Sequence, residues 1–187
     1  MKFKNTSQRY GIVTKSFHWS IFALFVIQFT IGFMIMGAAV GEHYDPANAK
    51  LLNWHHSIGL IILLLAIGRY SWRRMTPLPD WAETLSVPDR KVAHWVERLL
   101  YFVMIFKPLS GMALALGDGQ DLMFFNQLSI PNFTGESETL VAIALVIHII
   151  TGLLFFGAWF VHIGMVFKHQ WVKKDRLLNR MLPFSNQ

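Results

Sequence analysis

The sequence predicts an all-α integral membrane protein, a four-helix bundle with both termini on the cytoplasmic side, made of one unit over residues 1–187. Three observations predict it. Hydrophobic residues make up 53% of the chain, more than the ~45–50% usual in soluble domains. Four apolar runs, at about 17–40, 51–72, 92–116 and 138–167, each reach or exceed the ~20 residues that cross a hydrocarbon core as helix. Lysine and arginine gather beside alternate ends of those runs, as they do on the cytoplasmic side of inner-membrane proteins.

The elements follow in order. A basic segment with Lys2, Lys4, Arg9 and Lys15 precedes the first run. That run is too long for the apolar core of a cleaved signal, and no small-residue cleavage site follows it. The first connection carries Glu42 and Asp45, with Lys50 as its one basic residue. The second, Thr76–Arg90, holds Pro77, Pro79 and Pro88 and is flanked by Arg73, Arg74, Arg90 and Lys91; it reads as an interfacial linker. The third, Gly117–Glu136, contains Gly117, Gly119, Pro131, Asp118, Asp121 and Glu136 and reads as a longer loop. Lys168, Lys173, Lys174, Arg176 and Arg180 close the chain. Trp19, Trp54, Trp72, Trp95 and Trp171 fall near run ends, as an aromatic belt would.

Composition excludes several functions. There is no cysteine, so disulfides, thiolate-ligated iron–sulfur or zinc sites and covalent C-x-x-C-H haem attachment are ruled out. The net charge of +6 does not point to nucleic acid, because the basic residues lie beside apolar runs and complement a lipid headgroup surface instead.

Four histidines sit inside the runs at telling depths. His18 is at the cytoplasmic end of the first and His55 near the outer end of the second. The fourth run holds His148 in its outer half and His162 near its inner end. The 14 residues from 148 to 162 are close to four helical turns, so both side chains share a face, about 21 Å apart along the axis. His18 therefore pairs with His162 at an inner level, and His55 with His148 at an outer one. A lone membrane histidine is more often a helix–helix hydrogen-bond partner; four in two depth-matched pairs indicate ligands.

The same step of 14 recurs on the other helices, from His18 to Gly32 and from His55 to Arg69. Gly59 and Gly152 lie one turn beyond His55 and His148. A glycine beside a ligand leaves room for a flat macrocycle, and Arg69 offers a counter-charge to a propionate. Two imidazoles on opposite sides fill both axial positions of haem iron, which suits electron transfer rather than oxygen chemistry. Zinc or copper asks for three or four converging ligands. His56 points about 100° away from His55 on a helix, and His43 and His169 read as solvated. Lys107 lies about 13 Å by helical rise from the outer end of the third run, near the outer haem level. A lysine at that depth is costly unless paired. It either snorkels or serves as a functional cation toward a propionate, a quinone oxygen or an incoming anion.

Several motifs then resemble the bacterial cytochrome b561 family over about residues 5–183. They are Arg9-Tyr10-Gly11 followed by Phe17-His18-Trp19, His55-His56-Ser57-Ile58-Gly59 followed by Arg69 and Trp72-Arg73, Pro108-Leu109-Ser110-Gly111, and the ending Lys174–Pro183. Many members carry a histidine where this chain has Glu97 and an apolar residue where it has Lys107. The resemblance implies an inner-membrane cytochrome that holds two haems b on His18, His55, His148 and His162 and exchanges electrons with ubiquinone. Some members are similar to superoxide oxidases, which pass an electron from superoxide to ubiquinone. A cytochrome b anchor docking a redox partner protein of a larger dehydrogenase is the alternative, and a metal or haem transporter a third reading.

Overall fold

The computed structural model describes residues 2–40 and 46–183. Glu42, His43 and Asp45 of the first connection lie outside the described residues. Four long helices account for most of the chain: α1 (Ile12–Val40), α2 (Pro46–Met75), α3 (Val87–Gly117) and α4 (Glu138–Phe167). All four are long and apolar enough to cross a membrane. Their outward faces carry large apolar side chains such as Leu64, Leu153 and Phe160, each about two-thirds exposed, while Gln28, Ser57, Ser110 and Thr151 are buried inside. Apolar outside and polar inside is the pattern of a bundle solvated by lipid.

The first three helices begin about five residues before the apolar runs, and the reason lies in their caps. The first N–H groups of a helix need acceptors. At α1 these come from residues far outside the apolar run: Gly11 N donates to Asn5 Oδ1 (2.9 Å) and Ile12 N to the Lys2 carbonyl (3.0 Å). At α3 the Ser86 hydroxyl caps the Asp89 N–H and Pro88 sits in the first turn, so that proline starts a helix rather than extending the linker. α4 starts where its apolar run does, with Ser137 accepting from Leu140 N.

The third connection is more ordered than a loop. It holds a hairpin of β1 (Leu122–Phe124) and β2 (Leu128–Ile130), antiparallel, with Leu122 opposite Ile130. Phe125 and Asn126 at its tip both have positive φ, 48° and 58°, which is the reversed turn that matches strand twist. The aromatic side chain pays for that conformation through a clamp on α2: Phe125 N donates to Ser57 Oγ (2.8 Å) and the ring meets Trp54 edge-on. At the start of this connection Gly119, at φ 77°, terminates α3, a conformation that favours glycine.

Backbone packing is uneven. α3 lies closest to α4, α1 to α2, and α2 to α3, whereas α4 makes far fewer close approaches to α1 and α2. A gap therefore runs between α4 and the α1–α2 pair, bridged by side chains.

At the end where both termini lie, the tail crosses the bundle. Lys15 Nζ donates to the Leu182 carbonyl (2.7 Å) and Trp19 Nε1 to that of Met181 (3.0 Å). Arg180 reaches the carbonyls of Gln8 and Asp80. His169, expected to be solvated, is instead 1% exposed. A π-helical turn over Lys168–Val172 extends α4 and turns it inward, where Nδ1 meets Asp175 Oδ2 at 2.6 Å.

Candidate functional site

The gap beside α4 is crossed at two levels. At the level nearer the two termini, the expected inner one, His18 of α1 faces His162 of α4, ring centres 6.2 Å apart with planes at 58°. Trp19 stands edge-on to His18 at 5.3 Å. Arg69 of α2 lies within electrostatic range of both rings, with its guanidinium 5.6 Å from the centre of the Tyr101 ring. Glu97, on the next helix, is held by Arg73 through two hydrogen bonds of 2.5 and 3.0 Å.

At the level farther from the termini, the expected outer one, His55 of α2 faces His148 of α4, ring centres 6.3 Å apart with planes at 63°. Both line a small, partly open pocket together with Gln28, His56, Gly111 and Leu122. Gln28 donates to the His55 carbonyl (2.9 Å). His148 Nδ1 is 3.1 Å from both the Lys107 carbonyl and the Ser110 hydroxyl. A carbonyl only accepts, so Nδ1 carries the hydrogen and Nε2 keeps its lone pair.

Between the levels lies an aromatic layer. Phe25 and Phe155 stack with ring centres 4.5 Å apart, and Phe29 packs on Phe155 at 4.8 Å. Phe155 is seven residues from each histidine of α4, and Phe25 seven beyond His18; two helical turns keep these residues on the ligand faces. Both phenylalanines are buried.

Two imidazoles bound to one metal by bonds of about 2.0 Å, with about 1.2 Å from nitrogen to ring centre, have centres about 6.4 Å apart. Both observed pairs meet that spacing. Among the described residues no three histidine or acidic side chains converge as a metal site, so each level offers two ligands, as an axially ligated haem requires. Nδ1 of His18 and of His55 is buried without a hydrogen-bond partner among the described residues. The residues present fit haem.

The family model described as prokaryotic cytochrome b561 matches residues 9–184. The chain belongs to the prokaryotic cytochrome b561 family. Membership implies haem b. Cytochrome b561 homolog 2 of Escherichia coli (strain K12) is 27% identical over all of this chain and 97% of its own length. Cytochrome b562 of Cereibacter sphaeroides is 29% identical over 88% of this chain and 89% of its own length. A probable superoxide oxidase, CybB of Yersinia pestis, is 25% identical over 94% of this chain and 97% of its own length.

The remaining site residues of this b561 chain divide by what they meet. A side-chain carbon at Gly32 would come within 3.3 Å of His55 Cε1, so that glycine sits beside the His55–His148 pair and spares the His55 ring. Gly59 faces the Gln28 amide at 3.4 Å, and Gly152 faces the Lys107 ammonium at 3.0 Å. Lys107 is half-buried. Its Nζ donates to the His148 carbonyl (3.1 Å) and lies 5.8 Å from the centre of the Phe29 ring. His56 stands 6.5 Å from His55, ring to ring, on the cavity wall. Sequence reasoning missed Gln28, and it quoted Ser110 and Gly111 only as a motif. A side-chain carbon at Gly111 would fall 3.2 Å from His148 Cε1. The motif alone was a signal, since a small-small pair one turn after a membrane lysine marks a close helix contact.

Proposed function

We propose that this chain is a di-haem b electron-transfer protein of the bacterial inner membrane, with both termini cytoplasmic, that exchanges electrons with ubiquinone and takes them from superoxide. The observation that carries the reading is the pair of facing histidines at each of two levels, both at the spacing of axial ligands. The clustering of basic side chains at the end that holds the termini supports the orientation.

Haem b, when bound, supplies one-electron iron(III)/iron(II) chemistry. His18 with His162, and His55 with His148, would hold it, each pair supplying two imidazoles. Gly32 keeps the helix surface beside His55 flat. Arg69 places a cation at the inner level, matched to a propionate. Lys107 places one at the outer level, where it favours the electron-rich state and attracts an anionic donor at short range. In the overall reaction two superoxide anions each lose one electron and leave as dioxygen. The two electrons and two protons convert quinone to quinol. The likeness to a probable superoxide oxidase supports this choice of donor.

Stopped-flow reduction of the purified holoprotein by superoxide and, separately, by quinol tests it. Fast haem reduction by both is expected. Reduction by quinol alone would remove superoxide as the donor, and reduction by neither would overturn the reading. One observation favours a second reading, a cytochrome b anchor of a larger dehydrogenase. Asp118, Asp121, Glu136 and Glu138 are all exposed around the hairpin end. Such a surface repels superoxide at long range and suits a basic partner. Co-purification of a partner subunit from the native membrane would favour it.

A further inference from the structure

The two outer histidines are supported in different ways. His55 has its carbonyl bound by Gln28, but its ring nitrogen Nδ1 is buried and unpartnered. His148 is gripped at both ends by one residue. The Lys107 carbonyl faces its Nδ1 and the Lys107 ammonium takes its carbonyl, each at 3.1 Å. Ser110 closes the arrangement. Its hydroxyl donates to the Lys107 carbonyl (2.8 Å) and turns its lone pairs toward His148 Nδ1 (3.1 Å). Ser110 is 6% exposed, so this hydroxyl has no bulk water to exchange with. Gly111 lets the ring come this close.

We propose that Ser110 is a positioning residue for the outer haem, accepting the His148 Nδ1–H with the Lys107 carbonyl so that His148 is the stronger donor of the two outer ligands. The inference rests on His148 being an axial ligand. An acceptor behind an imidazole N–H raises the basicity of the opposite nitrogen and fixes the ring plane. A more basic ligand stabilises iron(III), so Ser110 lowers the potential of the outer haem. The ammonium of Lys107 acts on the same haem in the opposite sense, because a nearby cation stabilises the electron-rich state. One turn of α3 thus carries two opposing influences on one ligand, from a side-chain charge and from a backbone acceptor with its serine.

The test is a redox titration of the purified holoprotein, with the low-temperature EPR spectrum of its oxidised haems. His148→Ala identifies the outer haem by its loss. Ser110→Ala removes one of the two acceptors and leaves the Lys107 carbonyl in place. It should retain two haems and raise the outer haem's reduced-to-oxidised ratio about threefold at fixed potential, a shift of about 28 mV for one electron. The inner haem should not move, and the low-field EPR signal of the outer haem should change. Ser110→Thr, which keeps the hydroxyl, should behave as wild type. An Ser110→Ala variant with wild-type potential and EPR signal overturns the inference, and so does a downward shift. If Ser110→Ala loses the outer haem, Ser110→Thr decides: wild-type properties support the role, and a shifted potential overturns it. Retention of both haems by His148→Ala overturns the ligand assignment itself, a failure distinct from that of Ser110.

Discussion

The inner and outer histidine levels share a ring spacing and little else. The inner pair, His18 with His162, has a cation on a neighbouring helix: Arg69, beside the Tyr101 ring. The outer pair is braced by hydrogen bonds from two helices: Gln28 of α1 on the His55 carbonyl, and Lys107 and Ser110 of α3 on His148 of α4. Ligand spacing follows from which helices face each other, and the bracing follows from what lies behind each ring. The two levels can therefore hold the same group in different electrostatic settings, as two carriers in series need.

The largest effect expected is loss of a whole haem. His55→Ala or His148→Ala should lose the outer haem and keep the inner, and His18→Ala or His162→Ala the reverse. His56→Ala and His169→Ala should keep both. The pyridine haemochrome content per chain reads this directly, and wild type should give two. Loss in His56→Ala with retention in His55→Ala would show that the neighbouring ring is the ligand.

The labels inner and outer can themselves be broken. Reporter fusions after Asp45 and within Asp118–Glu136 should report the outside, and a fusion at the C-terminus the inside. A C-terminus found outside would exchange the two levels and place Lys107 on the cytoplasmic half.

A smaller effect is expected at Lys107. Lys107→Met keeps the backbone carbonyl that meets His148 Nδ1 but removes the ammonium. It should retain both haems, slow reduction of the outer one by its donor and lower its potential, by the equivalent of roughly 1–2 kcal/mol for a lost buried charge contact. Titration values and donor rates equal to wild type would reduce Lys107 to a structural role.

An effect on the fold rather than on the haems is expected at the C-terminal tail. His169→Ala removes a buried hydrogen bond to Asp175 and should lower thermal stability by about 1–3 kcal/mol without changing haem content. Burial works against the Asp175 carboxylate, but hydrogen bonds from His169, Thr84 and Leu177 N outweigh it and hold its pKa below the ordinary 3.8. A depressed carboxylate stabilises the fold above its unfolded pKa, and that contribution is lost as the pH falls through the folded value. The tail of wild type should therefore loosen only in strong acid, as followed by protease release of the C-terminal segment. Unchanged melting of His169→Ala would show that the contact contributes little.

What the sequence disclosed follows from what depth along a helix can encode. The pairing of His18 with His162 and of His55 with His148 needed only a 14-residue step and alternating helix direction. The supports of His148 needed more. Ser110 and Gly111 reach it through the contact between α3 and α4, and depth does not give the rotation of one helix against another. Lys107 was expected near the depth of His55 and His148, but its bond to the His148 carbonyl depends on the space left at Gly152. The early start of α1 was hidden because its capping acceptors, Asn5 and the Lys2 carbonyl, lie in a segment that carries no apolar period. His169 was misjudged because it lies beyond the apolar run, where a π-helical turn redirects the chain.

The 14 residues from His148 to His162 set the two levels about 21 Å apart along the helix axis, on either side of the Phe25 and Phe155 layer, roughly two-thirds of a ~30 Å hydrocarbon core. An electron moved between them traverses the same fraction of the membrane voltage. Carrying one charge through the full field costs about 2.3 kcal/mol per 100 mV, so this span accounts for about 1.5 kcal/mol. With the cytoplasm negative, voltage alone shifts the partition of an electron between the levels toward the outer one by about tenfold per 100 mV. With a haem at each level and both termini cytoplasmic, as proposed, that spacing would make transfer between the levels sensitive to voltage, and an energised membrane would oppose inward electron flow that a de-energised one permits.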